Sequence, residues 1–187
     1  MPTLWQGSNG GRPWRYTGSA VYELPIGEHH RYLNRGRIVP AIAGGWQFAG
    51  TYDFQPGSLL DWGNLFFYGN LSDIAIGNPT KDQWFNTEAG FEKDTAKTPA
   101  AFQKRSFPFR LDDVRGQAVS VLSVSLSRTI EMGGRRSLQL RIDSQNVLNR
   151  QQWANASTNP TSTNFGKVTT VTSAFMRFIS FGVKLNF

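Results

Sequence analysis

The only two imidazoles of the chain, His29 and His30, are adjacent in a turn flanked by Pro25 and Gly27. A metal site needs further ligands converging on them, and the sequence offers no cysteine and no third histidine. They read as solvated turn residues. Asp112 and Asp113, with Arg110 and Arg115 around them, come nearest to a carboxylate pair for acid–base work. Neighbouring residues on an extended chain point apart, so the two cannot flank one scissile bond. A salt-bridged strand entry suits them better. Asp53, Asp61, Asp73 and Asp82 lack the spacing and the closing Glu of a calcium loop. Ser123, Ser125 and Ser127 form a polar stripe with no GxSxG elbow and no plausible His partner. Asn70-Leu71-Ser72 and Asn155-Ala156-Ser157 match glycosylation sequons, which matter only in a eukaryotic secretory setting. The lack of cysteine also removes disulfides and thiolate chemistry. No catalytic residue, metal ligand or cofactor is expected, and the chain is read as a non-enzyme.

Lys and Arg number 20 against 13 Asp and Glu, a formal charge of +7. Such a balance raises the question of nucleic acid. The cations, however, are scattered through turns (Arg31, Arg35, Arg37, Arg135, Arg136) and loops (Lys93, Lys97, Lys104, Arg105). They form no basic helix, so no nucleic-acid partner is expected. The stretch Gly57–Gly116 instead concentrates Trp62, Phe66, Phe67, Tyr68, Trp84, Phe85 and Phe91 among Asn and Asp. Exposed aromatics beside amides can bind a sugar or a peptide. Trp62, Phe67, Tyr68, Trp84 and Phe85 are therefore candidates for an external recognition loop. The favoured competing reading is that these rings pack the loop onto itself as a lid.

Five segments that alternate with period 2 must position these residues. In Trp14–Leu24 the even positions are apolar or small, with Val21 the exception on the other face. In Gly45–Gln55, Trp46, Phe48, Gly50, Tyr52 and Phe54 share one face. Leu122, Val124 and Leu126 alternate with Ser123, Ser125 and Ser127; Val119 and Val121 are out of phase, which suggests a bulge. Leu138, Leu140 and Ile142 oppose Gln139, Arg141 and Asp143. Ile179, Phe181, Val183, Leu185 and Phe187 alternate with Ser180, Gly182, Lys184 and Asn186. Each strand then has one greasy and one polar face. A soluble sandwich buries the greasy face in a core, whereas a membrane barrel turns it to lipid and lines a wet lumen with the other. No run reaches the ~18 apolar residues of a transmembrane helix.

Connection lengths favour the barrel. Glu131–Arg136 is a tight turn in which Gly133 and Gly134 supply positive φ. Gly57–Gly116 is very long and Asn149–Ser173 moderately long. Short turns on one side and long loops on the other are a barrel signature. A strand of about 11 residues tilted about 45° spans roughly the 25 Å apolar band. Trp14, Tyr16, Trp46, Tyr52, Phe54, Phe175 and Phe187 sit near segment ends, where an interfacial aromatic girdle lies. The expected fold is all-β: an antiparallel transmembrane barrel segment of about five strands of a larger barrel, preceded by a disordered or loop lead-in over 1–13.

The ending FISFGVKLNF resembles the terminal strand of outer-membrane barrels. Its Ile179, Phe181, Val183, Leu185 and Phe187 look like the signal read by the barrel-assembly machinery. The stretches YELPIGEHHRYLN, GGWQFAGTYDFQPG, FFYGNLSDIAIGN, WFNTEAGFE, FPFRLDDVRG, LQLRIDSQNVLNRQQW and NPTSTNFGKVTT, in that order, resemble the C-terminal region of TonB-dependent receptors. The resemblance is to the Oar-like group that carries a carboxypeptidase-regulatory-like domain.

That resemblance implies active import of an unknown substrate across the bacterial outer membrane, powered through TonB. It also implies an N-terminal plug and TonB-contacting segment outside this sequence. Met1–Gly11 shows no positive region followed by an apolar core, so no signal peptide is expected there. The family's orientation makes Pro25–Ile42 and Glu131–Arg136 periplasmic and Gly57–Gly116 and Asn149–Ser173 external, with lipid as the partner of the greasy face. Two other classes stay open. A small self-contained barrel or adhesin needs at least eight strands, hence three more within Gly57–Gly116. A soluble β-sandwich carbohydrate-binding module would bury the greasy face.

Overall fold

The computed structural model describes residues 11–27, 32, 44–100, 102–172 and 176–187. His29, His30, Phe175, most of the 25–42 turn and most of the 1–13 lead-in lie outside the described residues.

The alternating segments are strands. β1 is Tyr16–Glu23, β2 Trp46–Gln55, β3 Val119–Glu131, β4 Ser137–Gln145 and β5 Phe178–Asn186. They form one five-stranded sheet in the order β1-β2-β3-β4-β5. The antiparallel ladders run from Tyr16↔Phe54 to Glu23↔Gln47, from Val124↔Ser144 to Glu131↔Ser137, and from Ser137↔Asn186 to Gln145↔Phe178. Valine, isoleucine, threonine and aromatic side chains fit a pleated surface, and β1, β2, β3 and β5 are rich in them, while β4 relies on the alternation of Leu138, Leu140 and Ile142 with polar residues. β3 is longer than its clean alternation and is continuous from Val119. The out-of-phase Val119 is buried at the strand's loop end, so its phase reflects a local apolar environment.

β3 and β4 are joined by the expected tight turn. Met132 N–H donates to the Arg136 carbonyl at 3.0 Å, and Gly133 and Gly134 take φ of 88° and 68°. No strand of the sheet falls in the 57–116 stretch among the described residues; it holds 3-10 turns at Leu71–Asp73 and Thr95–Lys97 and isolated bridges such as Leu59↔Arg115 and Phe67↔Phe91. The three further strands that a self-contained barrel would need there are not found among the described residues.

The chain divides into two compact units. One is the sheet unit, Tyr16–Phe54, Ser120–Arg150 and Ala174–Phe187. The other is a loop unit, Met1–Arg15, Gln55–Val119 and Gln151–Ser173, built from the two long connections. The hydrophobic core lies in the loop unit: Leu60, Trp62, Leu65, Ile74, Trp84, Phe85, Phe91, Phe107, Val114, Ala156 and Phe165 are all buried there. Its neck is closed by glycines, since a Cβ on Gly57 would overlap the Gly116 carbonyl oxygen. Gly116 N–H donates to the Ser58 carbonyl at 2.8 Å. A long connection whose ends touch and whose own side chains pack inside it is an Ω-type loop.

Candidate functional site

The sheet separates its side chains by chemistry. On one face Leu126 stands opposite Ile142 and Ile142 opposite Phe181. Leu140 pairs with Val183 and Leu138 with Leu185 on that same face. In β1 and β2, Tyr16, Gly18, Ala20 and Tyr22 face Phe54, Tyr52, Gly50 and Phe48. Arg128, opposite Leu140 near the turn, and Ser144, opposite Val124 and Ile179, are polar exceptions. The other face carries Ser125, Asp143 and Ser180 in one row and Thr129, Gln139 and Lys184 in another. Arg141 donates through Nε to both carboxylate oxygens of Asp143, at 2.9 and 2.8 Å, within this polar face. Thr17 Oγ1 likewise donates to Asp53 at 2.9 Å.

The apolar face is uncovered. Phe181 is 77% and Val183 72% exposed, and Ile179, Leu185, Phe187, Tyr16 and Tyr22 are exposed as well. A sandwich would have sealed these side chains between two sheets; among the described residues there is one sheet, and these side chains are open. Contiguous exposed apolar surface of this kind marks contact with a membrane or a partner. The 9 residues of β5 reach roughly 21 Å of height at a 45° tilt, close to a barrel's apolar band. The terminal residues Ile179, Phe181, Val183, Leu185 and Phe187 lie on or just beyond this edge strand, which pairs with β4. At the loop end, Tyr16 and Tyr52 approach to 6.3 Å between ring centres. With Trp14 and Phe54 they supply aromatics at that end, and Trp46 and Phe187 lie at the turn end.

A polar tie that residue types alone did not reveal braces the loop end of the sheet. Tyr52 and Ser120 share a hydrogen bond of 3.0 Å between hydroxyls, and Arg150 Nη1 donates to Ser120 Oγ at 2.7 Å. Arg150 is held in turn by Asn146, whose Oδ1 accepts from Arg150 N–H at 3.0 Å and whose Nδ2 donates to the Arg150 carbonyl at 2.9 Å. Asn146 is buried and left-handed, with φ of 48°; Asn149 has φ of 50°. Asparagine tolerates this region and caps its own turn.

The loop unit places the five candidate recognition aromatics mostly out of reach. Trp62 is 1% and Phe85 0% exposed; Trp84 is buried and Phe67 packs against the core. Trp62 stacks on Phe91 at 5.4 Å and 6°, and meets Phe85 at 4.8 Å and Phe107 edge-on at 5.4 Å. Trp84 Nε1 donates to the Arg115 carbonyl at 2.7 Å. Of the five, Tyr68 alone is open to solvent, 71% exposed. Trp62, Phe67, Trp84 and Phe85 pack on one another and on neighbouring core side chains, while Tyr68 stands in water.

The charged candidates are spent on structure. Arg110 pairs across the loop with Asp61, and Arg115 donates to the carbonyls of Gly11 and Gly57. Lys93 pairs with Glu88, and the ammonium beside it holds the Glu88 carboxyl below the usual carboxylate range. Among the described residues no three His, Asp or Glu side chains gather as a metal site.

A family model for an outer membrane beta barrel domain matches residues 4–179. No curated protein and no solved structure matches the chain.

Proposed function

The chain belongs to the outer membrane beta barrel domain family and resides in the bacterial outer membrane, and from that premise we propose that it is the C-terminal barrel portion of a TonB-dependent receptor. In this reading the intact protein, of the Oar-like group, imports a substrate across the outer membrane. The supporting observation is the sheet itself. Its greasy face is exposed on β1 and β5 and at Phe48 of β2 and half-exposed across β3 and β4, while serines, amides and an Arg141–Asp143 ion pair line the other. Five strands fall short of the roughly eight needed to close the smallest such cylinder, so further strands complete a wall of about 22. The ordered run of stretches from YELPIGEHHRYLN to FISFGVKLNF supports the receptor assignment.

The 131–136 turn then faces the periplasm and the two long connections face outside. β5 is the strand delivered to the barrel-assembly machinery through Ile179, Phe181, Val183, Leu185 and Phe187. In this reading the chain serves as wall and external loops rather than as an enzyme, and the energy comes through TonB by way of a plug domain. Reading the DNA upstream of the first codon tests this. An in-frame plug domain and additional alternating strands are expected. An upstream region encoding neither would overturn the assignment.

A further inference from the structure

We propose that an open cleft in the loop unit, with Trp153 in its lining, binds a neutral saccharide. The cleft has a volume of about 1020 Å³ and is lined by Pro79 to Asp82, Gln151, Trp153 and the 168–171 segment. That volume lies at the upper end of the range for ligand sites, roughly 300–1,000 Å³. It deepens the import reading, on which it rests only for the outward facing of the loop unit.

The part of the lining that carries Trp153 is pre-formed. Trp153 N–H donates to Gln117 Oε1 at 2.6 Å, and its backbone bridges Val171. Ala154 N–H donates to the Thr170 carbonyl at 3.1 Å and Thr172 N–H to the Gln152 carbonyl at 2.6 Å. The indole meets Trp84 edge-to-face at 6.1 Å and 71°, while Trp84 is itself pinned by its bond to Arg115. The opposite lip is tied down as well, because Val168 N–H donates to the Lys81 carbonyl at 2.7 Å. A ligand therefore pays little to order its receptor.

The chemistry of the lining selects the ligand. The Trp153 indole in the lining is the flat apolar group on which the C–H face of a pyranose ring would stack. Around it Lys81 and Gln151 donate, Asp82 and Gln151 accept, and Thr169 and Thr170 do both. Hydroxyl groups need this mixture, each being donor and acceptor at once. Lys81 and Asp82 are adjacent and opposite in sign, so the rim favours neither an anion nor a cation. An extended peptide would need a free backbone edge, and the 167–172 segment already spends backbone groups on Lys81, Gln152 and Ala154.

Calorimetry on the full-length protein in detergent, titrated with linear gluco-, xylo-, manno- and chito-hexaoses, tests the proposal. At least one hexaose is expected to bind. Trp153→Ala should abolish binding, and the exposed-rim double variant Lys81→Ala/Gln151→Ala, which leaves the packing intact, should weaken it at least about tenfold. Tyr68→Ala, outside the cleft, should bind normally. Binding of no hexaose, binding that survives both cleft variants, or Trp153-dependent binding of casein-derived peptides instead would each overturn it. Uptake of the bound hexaose in cells, with and without an uncoupler, is read separately. Binding without energised uptake would sink the import reading and leave the cleft standing.

Discussion

Gly57 and Gly116 lie backbone against backbone at the neck of the long connection, with no room for a Cβ on Gly57. Alanine at 57 must push the two ends apart, at a cost of about 1–3 kcal/mol. Gly57→Ala should therefore raise the protease sensitivity of the loop in whole cells several-fold or more. Gly77→Ala, where a Cβ meets nothing within 4 Å, should match the parent. Equal sensitivity of the two variants would remove the neck from the account.

Trp62 touches Phe85, Phe91 and Phe107, so Trp62→Ala should destabilise the loop unit by about 3–5 kcal/mol. Its indole Nε1, however, is buried and has no hydrogen-bond partner among the described residues. Leaving a buried donor unpaired costs about 1–3 kcal/mol. Trp62→Phe keeps most of the packing and drops that donor, so it should lose far less than Trp62→Ala. Chemical denaturation followed by tryptophan and near-ultraviolet signals reads both.

Phe181 and Ser180 are neighbours in the middle of β5 on opposite faces. Lysine at Phe181 should cost about 2–4 kcal/mol of membrane insertion, whereas lysine at Ser180 should cost little. Folding titrations into lipid vesicles measure the difference. Similar costs at the two positions would contradict the assignment of faces.

Asn146 supplies both a left-handed turn and two hydrogen bonds to Arg150. Asn146→Ala loses all of these and should cost about 1–3 kcal/mol; Asn146→Gly keeps the turn and should recover part of it. Tyr52→Phe removes only the Ser120 hydrogen bond and should cost about 1 kcal/mol. A double-mutant cycle between Tyr52 and Arg150 should show coupling through Ser120.

The sheet is readable from the sequence because one local rule sets both element and face. In β4 the alternation of Leu138, Leu140 and Ile142 with Gln139, Arg141 and Asp143 needs no tertiary information. β3 outran its pattern because Val119 and Val121 break the alternation without breaking the strand. The loop unit is illegible in the same way. No period runs through 57–116, and Phe85 is buried by Phe165, eighty positions on. Nothing in residue type separates buried Trp62 from exposed Tyr68. The cleft is illegible in the sequence because it joins residues near 80, 152 and 170, none of which forms a motif. Asn146 and Asn149 were visible as letters, but their left-handed geometry was not.

Phe181 wears its ring on the outside of the sheet, while Phe85 hides its own inside the loop unit. The same residue type thus answers to two different solvents within one polypeptide. Urea in intact membranes should melt the aqueous half and spare the wall, and stripping the lipid should do the reverse. Disassembly then has no single midpoint, and the medium decides which half fails first.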